Sequence, residues 1–77
     1  MKTISENLAS AMSKSGSEGK LGIIVTTGGT IPEEFNLKAF EGLDGLYHGQ
    51  LSHTDIKKLA KVPKVKMVEL DEENTIL

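Results

Sequence analysis

The sequence predicts an α+β fold, a small antiparallel sheet packed by two short helices, on three observations. An aliphatic run, LGIIVTT at residues 21–27, and an alternating run, KVKMVELDE at 64–72, read as strands. A third run, GLYHGQLS at 45–52, alternates less regularly: Leu46, His48 and Gln50 oppose Tyr47, Gly49 and Leu51. Segments 3–14 and 53–62 instead repeat their apolar residues at helical spacing.

The chain has 77 residues, no cysteine and no tryptophan, is 38% hydrophobic and carries a formal charge of −2. It is one small domain at most. A chain of this size buries only about 60% of its unfolded surface, so its stability is marginal, and it has no disulfide to reinforce it. The lack of cysteine excludes thiolate zinc sites, cysteine nucleophiles and iron–sulfur ligation. No apolar run approaches the ~18 residues of a membrane span, and the N-terminus mixes polar and apolar residues too finely for a signal-peptide core. The expectation is a cytoplasmic protein without membrane contact, or a secreted one if a leader or precursor segment was removed.

Along the chain, Ile4, Leu8, Ala11 and Met12 make one helical stripe, with Ser5 available as its cap and Glu6 and Lys14 at the ends that the helix dipole favours. A Gly/Ser stretch follows at 15–20 and reads as a loop or flexible linker, dividing the chain into an N-terminal helix and linker (1–20) and an α+β domain (21–77). The 21–27 strand, with three consecutive aliphatics, reads as buried on both faces, which places Ile24 in the core. Gly28 and Gly29 end it. The second helix opens at Ser52 or His53, buries Ile56, Leu59 and Ala60, and wets Lys57, Lys58 and Lys61 until Pro63 stops it. In the last strand Val65, Met67 and Glu69 point one way and Lys66, Val68 and Leu70 the other.

Residues 30–43 have two readings. As a strand, 30–37 contributes Ile31, Phe35 and Leu37 to the core, and Pro32 forces an edge position or a bulge. As a helix, Thr30 is the cap, Pro32 lies in the first turn, Glu33 completes a capping box, and Phe35, Ala39, Phe40 and Leu43 are buried.

The chemistry-bearing residues are few. IIVTTGGTI resembles the first strand and nucleophile loop of bacterial asparaginases, which points to Thr27 or Thr30. Activating a threonine needs a base and an orienting third group, and that family's second motif, a Thr-Asp pair, has no counterpart here. His48 and His53 do not share a face, and with Asp44 and Asp55 they make no ligand set, so no metal and no cofactor is expected. Lys57, Lys58, Lys61, Lys64 and Lys66 form a basic patch, but the chain has no arginine and the patch no interleaved aromatic, so no nucleic-acid binding is expected. Glu69, Asp71, Glu72 and Glu73 read as acids that solubilise a strand end or meet a partner.

From Gly28 onward, about fifty residues resemble the propeptide-like inhibitors of subtilisin-type serine proteases, the family that includes fungal proteinase B inhibitors. The resemblance is carried by Gly28-Gly29-Thr30-Ile31 with Glu34-Phe35-Asn36, by the segment Gly45-Leu46-Tyr47-His48-Gly49-Gln50-Leu51-Ser52, by the lysine-bearing helix at 54–61, and by Val65, Val68, Glu69 and Asp71. That family opens with a strand and a helix before the glycine pair, whereas here a helix precedes an aliphatic strand. The resemblance implies a ferredoxin-like sandwich and a protein-binding module that is no enzyme: an inhibitor or intramolecular chaperone of a subtilisin-like serine protease. In such a module the sheet docks on the protease and the C-terminal tail enters the substrate cleft as an added strand. The partner-binding residues would then be Glu69, Asp71, Asn74, Thr75, Ile76 and Leu77, with Leu77 in the primary pocket. The alternative is a small phage or bacterial assembly or regulatory protein acting by protein–protein contact, self-association included.

Overall fold

The computed structural model describes residues 3–15 and 19–71. The elements are α1 (Glu6–Ser15), β1 (Lys20–Thr27), β2 (Lys38–Ala39), β3 (Leu46–Ser52), α2 (His53–Ala60) and β4 (Val65–Leu70), with a single 3₁₀ turn at Glu33–Phe35 between β1 and β2. The four strands form one antiparallel sheet in the order β2-β3-β1-β4. Both β3 and β4 run against β1, so they are parallel to each other, and α2 carries the chain between them across β1. This is the α+β domain that the periodicities predict.

The helices form where the apolar spacing places them. The Ser5 hydroxyl accepts from the Leu8 N–H at 3.2 Å and caps α1. At α2, Ser52 is the cap and its hydroxyl accepts from Asp55 N–H at 3.2 Å. Replacing Ser52 by alanine leaves that donor without its partner and is expected to cost about 1 kcal/mol, read as a lowered urea midpoint at unchanged slope.

The core lies between one sheet face and the helices. Leu21, Ile23 and Val25 of β1, Leu51 of β3 and Val65 and Val68 of β4 meet Leu8, Ala11 and Met12 of α1 and Ile56 and Leu59 of α2. The helix that the sequence sets apart from residues 21–77 thus contributes to the same core as β1, and the residues between Ser15 and Gly19 lie outside the described ones.

Three details of the sequence reading are corrected. First, β1 is not buried on both faces: alternate residues point to opposite sides of a sheet, and Ile24 and Thr26 are half-buried while Ile23 and Val25 are fully enclosed. Second, residues 30–37 form neither the strand nor the helix. Pro32, extended at φ −55° and ψ 137°, precedes the 3₁₀ turn; Phe35 N–H donates to Pro32 O and Asn36 N–H to Glu33 O. Asn36 then takes a left-handed φ of 54°, which ends the turn. Ile31 and Phe35 are buried, but Thr30, Ala39 and Leu43 are exposed, and only Lys38 and Ala39 join the sheet. Third, β4 does not alternate strictly. Thr26 pairs with Met67 and Thr27 with Val65, so Lys66 is an extra residue, a bulge. The bulge turns Val65 and Val68, three positions apart, to the same core.

Both flanks of the sheet are partly covered. Beyond β4, Ser5 N–H donates to Val68 O and Val68 N–H to Thr3 O, a parallel bridge at Ile4. Beyond β3 lies the short β2.

Candidate functional site

Among the described residues the face of the sheet opposite the helices is open, and the pairing register fixes which side chains it presents. In one row across the sheet stand Lys38 of β2, His48 of β3, Ile24 of β1 and Glu69 of β4. The neighbouring row holds Leu46, Thr26 and Met67, with Phe40 beside Leu46, to whose carbonyl its N–H donates at 2.9 Å. Phe40 and His48 touch, with ring centroids 4.6 Å apart and planes at 45°, a tilted arrangement that the ring quadrupoles favour. Phe40, Leu46, Ile24, Met67, Thr26 and His48 are all half-buried, whereas Lys38 and Glu69 are exposed. The face therefore has an apolar middle with a cation at one margin and an anion at the other.

On the next row Gln50 and Asp71 flank Gly22, which has no side chain to fill the space between them. A shallow basin of about 430 Å³ opens here, lined by Lys20, Asn36, Lys38, His48, Gln50 and Asp71 among others. Asp71 N–H donates to Gly22 O at 2.9 Å, and the residue is only 8% exposed. Of the acids singled out in the sequence, Glu69 on β4 and Asp71 just past its end thus lie on the open face, one solvated and the other tucked in beside Gly22. Asn74, Thr75, Ile76 and Leu77 lie outside the described residues.

The Thr-Gly-Gly loop has a different task. The Thr27 hydroxyl donates to Lys64 O at 2.9 Å and accepts from Gly29 N–H at 3.2 Å. The N–H groups of Thr27 and Gly28 donate to Gly45 O and Lys64 O, both at 2.8 Å. These bonds fasten the end of β1 to its neighbours, and Thr30 is exposed. An activated nucleophile would need a base at the hydroxyl; Thr27 has main-chain groups there.

The remaining candidates lie apart from the open face. His53 lines a groove of about 500 Å³ between the two helices, with Ile4, Ala9, Met12, Lys57 and Ala60, so it does not meet His48. Lys57, Lys58 and Lys61 are exposed on α2, and Lys64 and Lys66 lie along Gly29 and Gly28 at the end of β1. Among the described residues no helix is long and apolar enough to cross a membrane.

Sequence reasoning missed Phe40 and Met67 as surface residues. The opposition of Leu46, His48 and Gln50 to Tyr47, Gly49 and Leu51 was the signal available, because it separates the open face of β3 from the core face. The chain matches no family model, no curated protein and no solved structure.

Proposed function

We propose that the protein is a protein-binding module that presents the open face of its sheet to a partner, in its finer form an inhibitor or intramolecular chaperone of a subtilisin-like serine protease. The observation that carries the reading is the half-buried apolar middle of that face, Ile24, Leu46, Met67 and the Phe40–His48 pair, between charged margins. Apolar centres with polar rims are the anatomy of protein interfaces. Glu69 lies on the same face, and the tail that would enter the cleft follows β4 directly in sequence. The strand order, read as β4-β1-β3-β2 with α2 crossing from β3 to β4, supports a ferredoxin-like sheet with the first helix moved ahead of β1. We place the module in the cytoplasm, or outside the cell where a precursor segment directs it there.

The test is inhibition of a panel of subtilisin-type proteases. The intact chain is expected to inhibit, and a chain lacking residues 75–77 to lose inhibition with its melting temperature hardly altered, because those residues would contact the protease and not the domain. Leu77→Asp is expected to act likewise, since the primary pocket would have to desolvate a charge without a counter-ion. A truncated chain that melts several degrees lower, with no protease responding to either version, would place Ile76 and Leu77 back on the sheet and end the inhibitor reading.

A further inference from the structure

The charges of the open face are arranged so that the face complements itself. Across one row the order is cation, imidazole, aliphatic, anion: Lys38, His48, Ile24, Glu69. Across the next it is Phe40, Leu46, Thr26, Met67. A two-fold axis lying in the plane of contact, parallel to the strands and between β3 and β1, turns a second sheet face-down on the first and reverses each row upon itself. Lys38 then meets Glu69 of the second copy, and Ile24 meets His48. In the next row Phe40 meets Met67, a sulfur–aromatic contact, and Leu46 meets Thr26. An axis running across the strands at the Lys38 row would instead set Lys38 on Lys38 and Glu69 on Glu69. Charge alone selects the first arrangement.

We propose that a second copy of this chain covers the open face, in an isologous dimer with its axis along the strands. This inference rests on the reading of the face as a protein-binding surface and names the partner. The geometry accommodates it. Sheets packed face to face stand ~10 Å apart, a distance that a lysine and a glutamate reaching from opposite sides can bridge, and their strands keep within about 30° of parallel. Among the described residues the two short flanking features, β2 on one side and the Ile4 bridge on the other, leave the middle of the face unobstructed. Four strands at their usual spacing make a footprint on the order of 500 Å² per copy, roughly 1,000 Å² in the pair, at the low end of specific interfaces. The dimer is therefore weak and concentration-dependent, and in the monomer the same face is free for other proteins.

The experiment is sedimentation equilibrium of the intact chain from roughly 1 µM to 1 mM, a range spanning dissociation constants of weak complexes. The parent is expected to pass from monomer to dimer within it. Lys38→Glu and Glu69→Lys, each alone, put like charges together at both symmetric contacts and should weaken the dimer at least ~10-fold. Their combination reverses every pair and should restore it. Both positions are exposed, and a melting curve for each variant separates lost association from lost folding. A parent that stays monomeric throughout overturns the proposal, as does a dimer indifferent to the single charge reversals. If that monomer still inhibits a protease, the face takes a different protein, and the protein-binding reading survives the loss of the dimer.

Discussion

Replacing Ile23 by alanine is expected to remove a large share of the protein's stability, about 2–5 kcal/mol. Ile23 is 0% exposed in the central part of β1, between Gly49 of β3 and Leu70 of β4, and it belongs to the one core that both helices cover. Removing its outer carbons costs the lost transfer free energy and leaves a cavity, together about 2–5 kcal/mol for buried aliphatics cut to alanine. A domain of this length has about 4–12 kcal/mol of total stability, so the change consumes a large share of it. Ile24→Ala is the internal control. That side chain lies one residue away on the open face and is half-buried, so its loss removes less contact and leaves solvent, not a void, in its place. Urea denaturation of both variants, at a dilution where the chain is monomeric, measures the difference. Equal destabilisation would mean that β1 is enclosed on both sides after all.

The second large effect is expected at Gly45. It sits at φ +82°, where a side chain costs about 1–3 kcal/mol, and a Cβ built there would lie 2.7 Å from the Thr27 carbonyl oxygen. The obstacle is main chain and cannot rotate away. It also belongs to a strand end held by the Thr27 N–H to Gly45 O bond, so relieving the clash means loosening the junction of β1 with the turn into β3. Gly42, three residues earlier, has a similar φ of +79° with open space where its Cβ would go. Gly42→Ala therefore measures the dihedral cost by itself, and the further loss in Gly45→Ala measures the collision. Thermal melts should rank parent, Gly42→Ala and Gly45→Ala in descending order. Equal losses in the two variants would show that the Thr27 carbonyl yields at no cost.

Most of the fold was legible where one periodicity had no competitor. Leu8, Ala11 and Met12, like Ile56 and Leu59, fit only a helix, and Ser52 marks the start of the second. Residues 30–43 were not legible because Ile31 and Phe35, flanking a proline and two acids, satisfy a helical spacing and an extended edge equally well. What decides the matter is Asn36 in its left-handed conformation and the room above Gly49, whose missing Cβ leaves space for Leu37. The site was legible in part. Glu69 falls on the open face of the sheet once the register with Ile24 is known, but the bulge at Lys66 leaves no mark in an alternating sequence. Asp71 reads as one member of a solvated acidic run, yet Gly22 opposite gives it a place to be buried. The nearness of Phe40 to His48 depends on a turn whose geometry is set by two positive-φ glycines.

The bridge between Ile4 and Val68 bears on how the chain comes to be folded. It joins positions near the two ends of the described sequence, and β4, the last strand, also pairs with β1 and underlies both helices. Contacts so distant along the chain are slow to form, because the intervening segments lose their freedom before the contacts reward it. Until β4 docks, the apolar side of β1 lacks its neighbour Val68 and a strand edge stands open to other chains. The docking of residues 65–70 therefore closes both the core and that edge, and any delay at that point lengthens the chain's exposure to aggregation.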